Sequence, residues 1–374
     1  MKNTARNVSL LAIACGLFAL LSTITAVHAS TPTVTPFLIA LPLNQKWGAF
    51  LNGSGNGLIQ SGNRAIVASF QDTPSISAFD IATGKALWHN TVPLPGQFDL
   101  GGCMAADDTV TVVSQGGDVA AFSSSDGRLL WKQTLPGAVT HLYVSQGYVD
   151  VAWEGHRLTQ YTADSGTMVW SQEEPSAIAS VQTVRNTLLV GLADGQMVGL
   201  MRDGHRIYSY NPGYPASTDP VTEALAGPDE SIIVVAGNTV AAVTVNCHIL
   251  WKLRFQSYIT AGRVSVVQNH VYLTTAAGHL WEIDATRGRP LGQVKATRSL
   301  YFWPIVDEGR LVLAGGAGMQ VFSANTLQPL YSISYSMKLP LFPTQEPIAY
   351  EGTILTVNID AELCAYQASP SQGA

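Results

Sequence analysis

Apolar residues in this chain fall in short, strand-length groups rather than at helical spacing. Runs rich in β-branched residues recur, among them Ala65-Ile66-Val67-Ala68, Val110-Thr111-Val112-Val113, Leu188-Leu189-Val190 and Ile232-Ile233-Val234-Val235. His270 to Thr274, Arg310 to Leu313 and Thr353 to Val357 continue the series. A second short group follows within a few residues, as in Ile76-Ser77-Ala78-Phe79, Val119-Ala120-Ala121-Phe122 or Glu362-Leu363-Cys364-Ala365-Tyr366. Turn residues such as Gly-Asn, Asp-Asp and Asp-Gly bound these groups, so each reads as a strand. After residue 30 no helical period of comparable length occurs.

The groups repeat at a fixed interval. Aligned on the residue that follows the last turn of each unit, they give Trp47, Trp88, Trp131, Trp170, Tyr208, Trp251, Gly292 and Tyr331, spaced 41, 43, 39, 38, 43, 41 and 39 residues apart. A period near forty residues marks a propeller or a solenoid. The turn before the aromatic is conserved in kind: Asp80-Ile81-Ala82-Thr83-Gly84 leads to Trp88, Ser125-Asp126-Gly127 to Trp131, and Asp164-Ser165-Gly166 to Trp170. A bulged hairpin turn of this sort needs a residue at positive φ, hence the glycine, and the preceding acid or hydroxyl caps turn amides. Trp47, Trp88, Trp131, Trp170 and Trp251 are expected on fourth strands, wedged between neighbouring units. At Tyr208, Gly292 and Tyr331 the docking has to be remade.

Ala78-Phe79-Asp80-Ile81-Ala82-Thr83-Gly84-Lys85-Ala86-Leu87-Trp88 closely resembles the repeat of the pyrroloquinoline-quinone (PQQ) family, with small residue, Asp, Thr-Gly and Trp in register. The resemblance covers about residues 44 to 367 and implies an all-β chain, an eight-bladed β-propeller of four-stranded antiparallel blades. The chain ends support a ring. Trp47 is a fourth-strand residue with no three strands before it, and Ala349 to Gln367 lacks a fourth strand after it. An N-terminal strand that completes the last blade would hide both free edges.

The first residues change the expected setting. Lys2 and Arg6 precede an apolar run from Val8 to Ile24 that ends in Ala26-Val27-His28-Ala29. This reads as a signal peptide over residues 1–29, followed by a lead-in at 30–43, the propeller at 44–367 and a loose tail at 368–374. A periplasmic or secreted chain is expected. Lipid anchoring through Cys15 is the alternative, although Ala12 stands where a lipobox has Leu. Loss of the two leader cations would take the formal net charge from −6 to −8, which argues against nucleic acid or an anionic membrane surface as partner. Charged residues are only 12% of the chain, against about 25% in ordinary globular proteins. With few carboxylates to keep ionised, such a chain suits an acidic setting.

Candidate chemistry is sparse. Cys103, Cys247 and Cys364 are far apart in sequence and read as small buried thiols. There is no Cys-x-x-Cys-His for a haem, no histidine pair at metal spacing and no dense acidic cluster for calcium. The adjacent cysteines that the resemblance associates with a bound quinone are missing, so no PQQ or other cofactor is expected. Gly53-Ser54-Gly55-Asn56-Gly57 precedes a strand, which excludes a helix-based phosphate cradle. Asp99, His141, Glu223, Arg263, Tyr301, Trp303 and Glu346 fall near predicted inner strands. His141 reads as a hydrogen-bonded residue rather than a ligand. The longest insert, residues 212–220, carries Tyr214 and Asp219 between prolines. Tyr214, Asp219, Glu223, Arg263 and Trp303 are therefore the partner- or ligand-binding candidates, with no catalytic or metal residue assigned.

In size and blade count the chain is similar to the outer-membrane assembly propellers of the BamB family. That resemblance implies a non-catalytic scaffold for protein–protein interaction in the cell envelope. Two other readings stay open: an extracytoplasmic enzyme similar to the tetrathionate hydrolases or PQQ-dependent dehydrogenases of the repeat family, and a ligand-binding propeller without turnover.

Overall fold

The computed structural model describes residues 43–51, 54–70, 74–94, 98–106, 108–114, 116–211, 219–246, 248–296, 304–307, 309–315, 318–334, 347–357 and 362–368. The expected leader and Cys15, as well as Tyr214, Cys247, Tyr301, Trp303 and Glu346, lie outside them.

Among the described residues, thirty-two strands form eight four-stranded antiparallel sheets. The chain enters on β1 (Leu43–Phe50). Blade 1 is β2 (Ser54–Ser61), β3 (Arg64–Phe70), β4 (Ser75–Asp80) and β5 (Ala86–Thr91), and blade 2 is β6 (Phe98–Ala106), β7 (Thr109–Ser114), β8 (Asp118–Ser123) and β9 (Leu129–Thr134). Blade 3 is β10 (Val139–Ser145), β11 (Tyr148–Trp153), β12 (Arg157–Thr162) and β13 (Met168–Glu173), and blade 4 is β14 (Ile178–Val184), β15 (Thr187–Leu192), β16 (Met197–Leu200) and β17 (Arg206–Tyr210). Blade 5 is β18 (Val221–Ala226), β19 (Ile232–Ala236), β20 (Thr239–Val243) and β21 (Ile249–Arg254), and blade 6 is β22 (Ile259–Val267), β23 (His270–Thr275), β24 (His279–Asp284) and β25 (Pro290–Lys295). Blade 7 is β26 (Ile305–Asp307), β27 (Arg310–Gly315), β28 (Gly318–Ser323) and β29 (Pro329–Ser334). Blade 8 joins β30 (Ile348–Tyr350), β31 (Thr353–Val357) and β32 (Glu362–Ala368) to β1 from the other end of the chain.

The first strands of successive blades lie beside one another, β2 against β6 and so on round to β30 against β2, which makes them the inner wall of an eight-bladed ring. As expected, the N-terminal strand closes it: Trp47 pairs with Ala365 and Gly48 with Cys364. The most legible apolar runs are second strands. Val110 to Val113 and Ile232 to Val235 are buried along their whole length, because each blade packs a neighbour on both faces. Burial on both sides erases the apolar/polar alternation of a one-sided sheet.

The eight aligned positions all fall on outer strands. Each large aromatic with a small partner sits opposite it across the third strand: Trp88 faces Ala78, Trp131 faces Ala121, Trp251 faces Ala242 and Tyr208 faces Gly199. The indole N–H then reaches the next blade. Trp47 donates to Ile81 O at 2.9 Å, Trp88 to Ser124 O at 3.1 Å, Trp131 to Ala163 O at 2.7 Å, Trp170 to Arg202 O at 2.9 Å and Trp251 to Ala285 O at 2.7 Å. These carbonyls belong to the signature turns, whose glycines lie under the same rings. Gly84 and Gly166 have φ of +72° and +66°, and a Cβ on either would stand 2.5 Å from the Trp47 or Trp131 ring. The turn glycine thus answers two demands, a left-handed backbone and the close approach of the preceding blade's tryptophan.

Blade 6 breaks the pattern. Its aligned residue is Gly292, opposite Glu282, and the next turn carries Leu327 at φ +53° in place of glycine. The two replacements are reciprocal: the Leu327 side chain lies where a Cβ on Gly292 would be, 2.9 Å away. Tyr272 supplies the hydrogen bond that the indole gives elsewhere, donating its hydroxyl to Ala324 O at 2.8 Å.

Candidate functional site

The inner strands begin on the face that carries the connectors between blades, and most begin with a bulge. The register shifts between Val139 and His141, Ile178 and Ser180, and Val221 and Glu223. His141, Ser180 and Glu223 therefore hold one equivalent position on three successive blades. At the first two, the side chain ties its blade to the next. His141 Nε2 lies 3.0 Å from Ile178 O, which makes that nitrogen the donor, and Ser180 Oγ donates to Val221 O at 2.8 Å. Ala224 N–H donates to Gln182 Oε1 at 2.6 Å, and Ser265 Oγ donates to Pro304 O. Burial holds the His141 imidazole below its ordinary pKa, consistent with a neutral ring that staples the wall.

Two inner strands carry larger bulges. β6 leaves Asp99 to Gly102 unpaired between Phe98 and Cys103, and β22 leaves Thr260 to Arg263 unpaired between Ile259 and Val264. Blades 2 and 6 stand opposite one another in an eight-membered ring, so the two bulges occupy matching positions on facing walls, with Asp99 at the start of one and Arg263 at the end of the other. Of the binding candidates, Glu223 is buried on β18, Asp219 precedes that strand beside the Gly237 turn, and Arg263 is on the β22 bulge. All three belong to the same face. Tyr214 and Trp303 lie outside the described residues.

Sequence reading missed two buried polar groups. Between blades 3 and 4, Asp150 is fully buried, accepts from Gln160 Nε2 at 2.7 Å and faces Arg202 Nη1 at 3.9 Å. Arg202 also donates to Gln146 Oε1 at 2.6 Å and stacks over Tyr148. Desolvation raises the Asp150 carboxyl to about 6, against the opposing pulls of Gln160 and Arg202. Nearby, buried Glu174 accepts from Arg206 at 2.6 Å; burial pushes its carboxyl up and Arg206 opposes the shift. In blade 6, Glu282 pairs with His270 Nδ1 at 2.8 Å. Burial raises Glu282, and burial with the adjacent carboxylate pushes the Tyr272 hydroxyl up to about 12. No sequence motif marks either cluster, because their members come from different strands or blades. Among the described residues no three His, Cys, Asp or Glu side chains converge to hold a metal, and no helix is long and apolar enough to cross a membrane.

Outer strands show a second kind of surface. The residue before each aligned position is aliphatic on most blades and exposed in Leu87, Val169, Ile207, Leu250 and Leu291. These side chains stand on outermost strands, each with one edge unpaired among the described residues.

Ring, repeat and docking pairs together define a PQQ-like β-propeller scaffold. A family model described as outer membrane protein assembly factor BamB matches residues 72–249 and 236–372, and the chain belongs to that family. The outer membrane protein assembly factor BamB of Pseudomonas aeruginosa is 31% identical over 109 residues, an alignment that spans 27% of each chain. Among solved structures, BamB from Moraxella catarrhalis superposes with a TM-score of 0.70 at 13% identity, covering 89% of this chain and 99% of that one. The computationally designed Ika8 protein gives 0.71 at 16% identity, covering 85% and 97%. Saccharomyces cerevisiae Sqt1 gives 0.70 at 10% identity, covering 90% and 100%. At these identities the structural likenesses concern the fold.

Proposed function

We propose that the protein is a non-catalytic scaffold of the cell envelope that holds a partner protein chain. The observation that carries the reading is the family match, which runs over residues 72–372, from the third strand of blade 1 to the end of the ring, rather than over a local site. Family members named for outer-membrane assembly supply the setting. The surface chemistry agrees: aliphatic side chains stand on open-edged outer strands, where an extended chain can add by backbone pairing. Tyr214, Asp219, Glu223, Arg263 and Trp303 are the residues proposed to meet the partner, and of these Asp219, Glu223 and Arg263 lie on the connector face. The export segment at residues 1–29 is proposed to deliver the chain to the periplasm.

Crosslinking and pull-down from an envelope extract test this. The intact chain is expected to recover a specific protein that is lost when residues 212–220 are replaced by alanine. Recovery of nothing specific would count against the scaffold. Turnover of polythionates by the purified protein at about pH 3 would overturn its non-catalytic character.

A further inference from the structure

Cations are concentrated in one sector of a chain whose formal net charge is −6. From His248 to Ala296, essentially the outer strand of blade 5 and all of blade 6, there are Lys252, Arg254, Arg263, Arg287, Arg289 and Lys295. Only Glu282 and Asp284 oppose them. Both acids are already engaged: Glu282 is buried against His270, and Asp284 caps its own turn and pairs with Arg287 at 3.4 Å. Arg254, Arg289 and Lys295 are exposed and make no ion pair among the described residues.

The strand pattern aligns the charge. Side chains on the side of an outer strand away from the aligned position come every second residue. On β21 these are Leu250, Lys252 and Arg254, and on β25 Leu291, Gln293 and Lys295. Both strands run in the same direction around the ring, so each offers an aliphatic residue at one end and a cation at the other. At the last of these positions the other blades carry Phe50, Thr91, Thr134, Glu173, Asn211 and Ser334 instead. Beyond Arg254, Tyr258 stands 62% exposed on the connector into blade 6. Burial and the neighbouring Arg254 lower the Lys252 ammonium, so an incoming anion would relieve like-charge crowding there.

We propose that the outer strands of blades 5 and 6 dock extended, acidic segments of a partner protein, one along each strand, with carboxylates toward Arg254 or Lys295 and alternate apolar residues beside Leu250 or Leu291. The proposal deepens the scaffold reading and rests on it. A protein segment fits better than a lipid surface because each outer strand also presents an edge of backbone donors and acceptors that no described strand pairs, and only another backbone can match it in register.

The test uses the full chain and a labelled peptide of about twelve residues that alternates Val and Thr with Asp and Glu. A Lys-for-acid counterpart and phosphatidylglycerol vesicles serve as comparisons, all read by fluorescence anisotropy or co-sedimentation. Binding of the acidic peptide is expected, weakened about tenfold in the Arg254→Glu/Lys295→Glu variant and by raising salt to about 0.5 M, and changed less than about twofold by Thr91→Glu on blade 1. Equal binding of the Lys peptide, an unaffected double variant, or preference for vesicles over peptide would overturn it. If the double variant also keeps every partner lost on replacing residues 212–220, the scaffold reading stands and these outer strands are not its site.

Discussion

Asp150 shows how a single side chain can set the pH response of a blade interface. An ordinary aspartate has a pKa of 3.8, whereas burial lifts this one to about 6, so between those values the folded chain holds a proton that the unfolded chain has released. Stability from this group therefore grows as pH falls through about 6, is complete below 3.8, and is lost as pH rises again. The cost of keeping Asp150 ionised above pH 6 is on the order of 3 kcal/mol. Asp150→Asn, which keeps an acceptor for Gln160, should shrink the stability gained between pH 7 and pH 4 by about that amount. Urea unfolding of both proteins across the range would show it; parallel pH curves would refute it. The direction suits a chain with few charges to lose in acid. The sequence held no sign of this, since Asp150 lies within an unremarkable strand and acquires its environment only from Gln160 and the next blade's Arg202.

Between elements, the decisive contact is the outer-strand tryptophan against the next turn's glycine. Both members were legible in the sequence because they recur in one local phrase. The exception at blade 6 was legible only as a gap. Gly292 announced a missing tryptophan, but nothing local said that Leu327 would fill the space and Tyr272 the hydrogen bond. Reciprocal exchange of large and small residues conserves interface volume, which close-packed interiors require. Leu327→Gly is expected to destabilise by about 2–4 kcal/mol, even though it installs the residue used on other blades. Gly292→Trp alone should also destabilise, by crowding Leu327 and Glu282. Combined, the two should cost less than their sum by at least ~1 kcal/mol. Additive costs in denaturant unfolding would show that the two residues do not share one space.

Across the whole molecule, stability depends on closing the circle. β1 shields the edge of β32, and Trp47 crosses from blade 8 to Ile81 and Gly84 of blade 1, so one strand seals two interfaces. Removal of everything before residue 52 should lower the thermal midpoint and leave β32 as an open edge prone to intermolecular pairing. Melting and light scattering would report this. A truncated chain that stays monomeric and melts within a few degrees of the parent would show that closure is dispensable.

By itself the sequence determined the number of blades, their strand order and the way the ends join. Those features rest on a forty-residue phrase of short-range rules: turn chemistry, a positive-φ glycine and an aromatic four residues later. Only the tertiary structure decided which polar groups meet: His141 with Ile178, Asp150 with Arg202, Glu282 with His270 opposite a residue without a side chain. It also decided that Lys252, Arg254 and Lys295 stand on the outer strands of neighbouring blades. Such contacts join residues of different strands or blades and differ at every interface, so no local pattern in the chain repeats them.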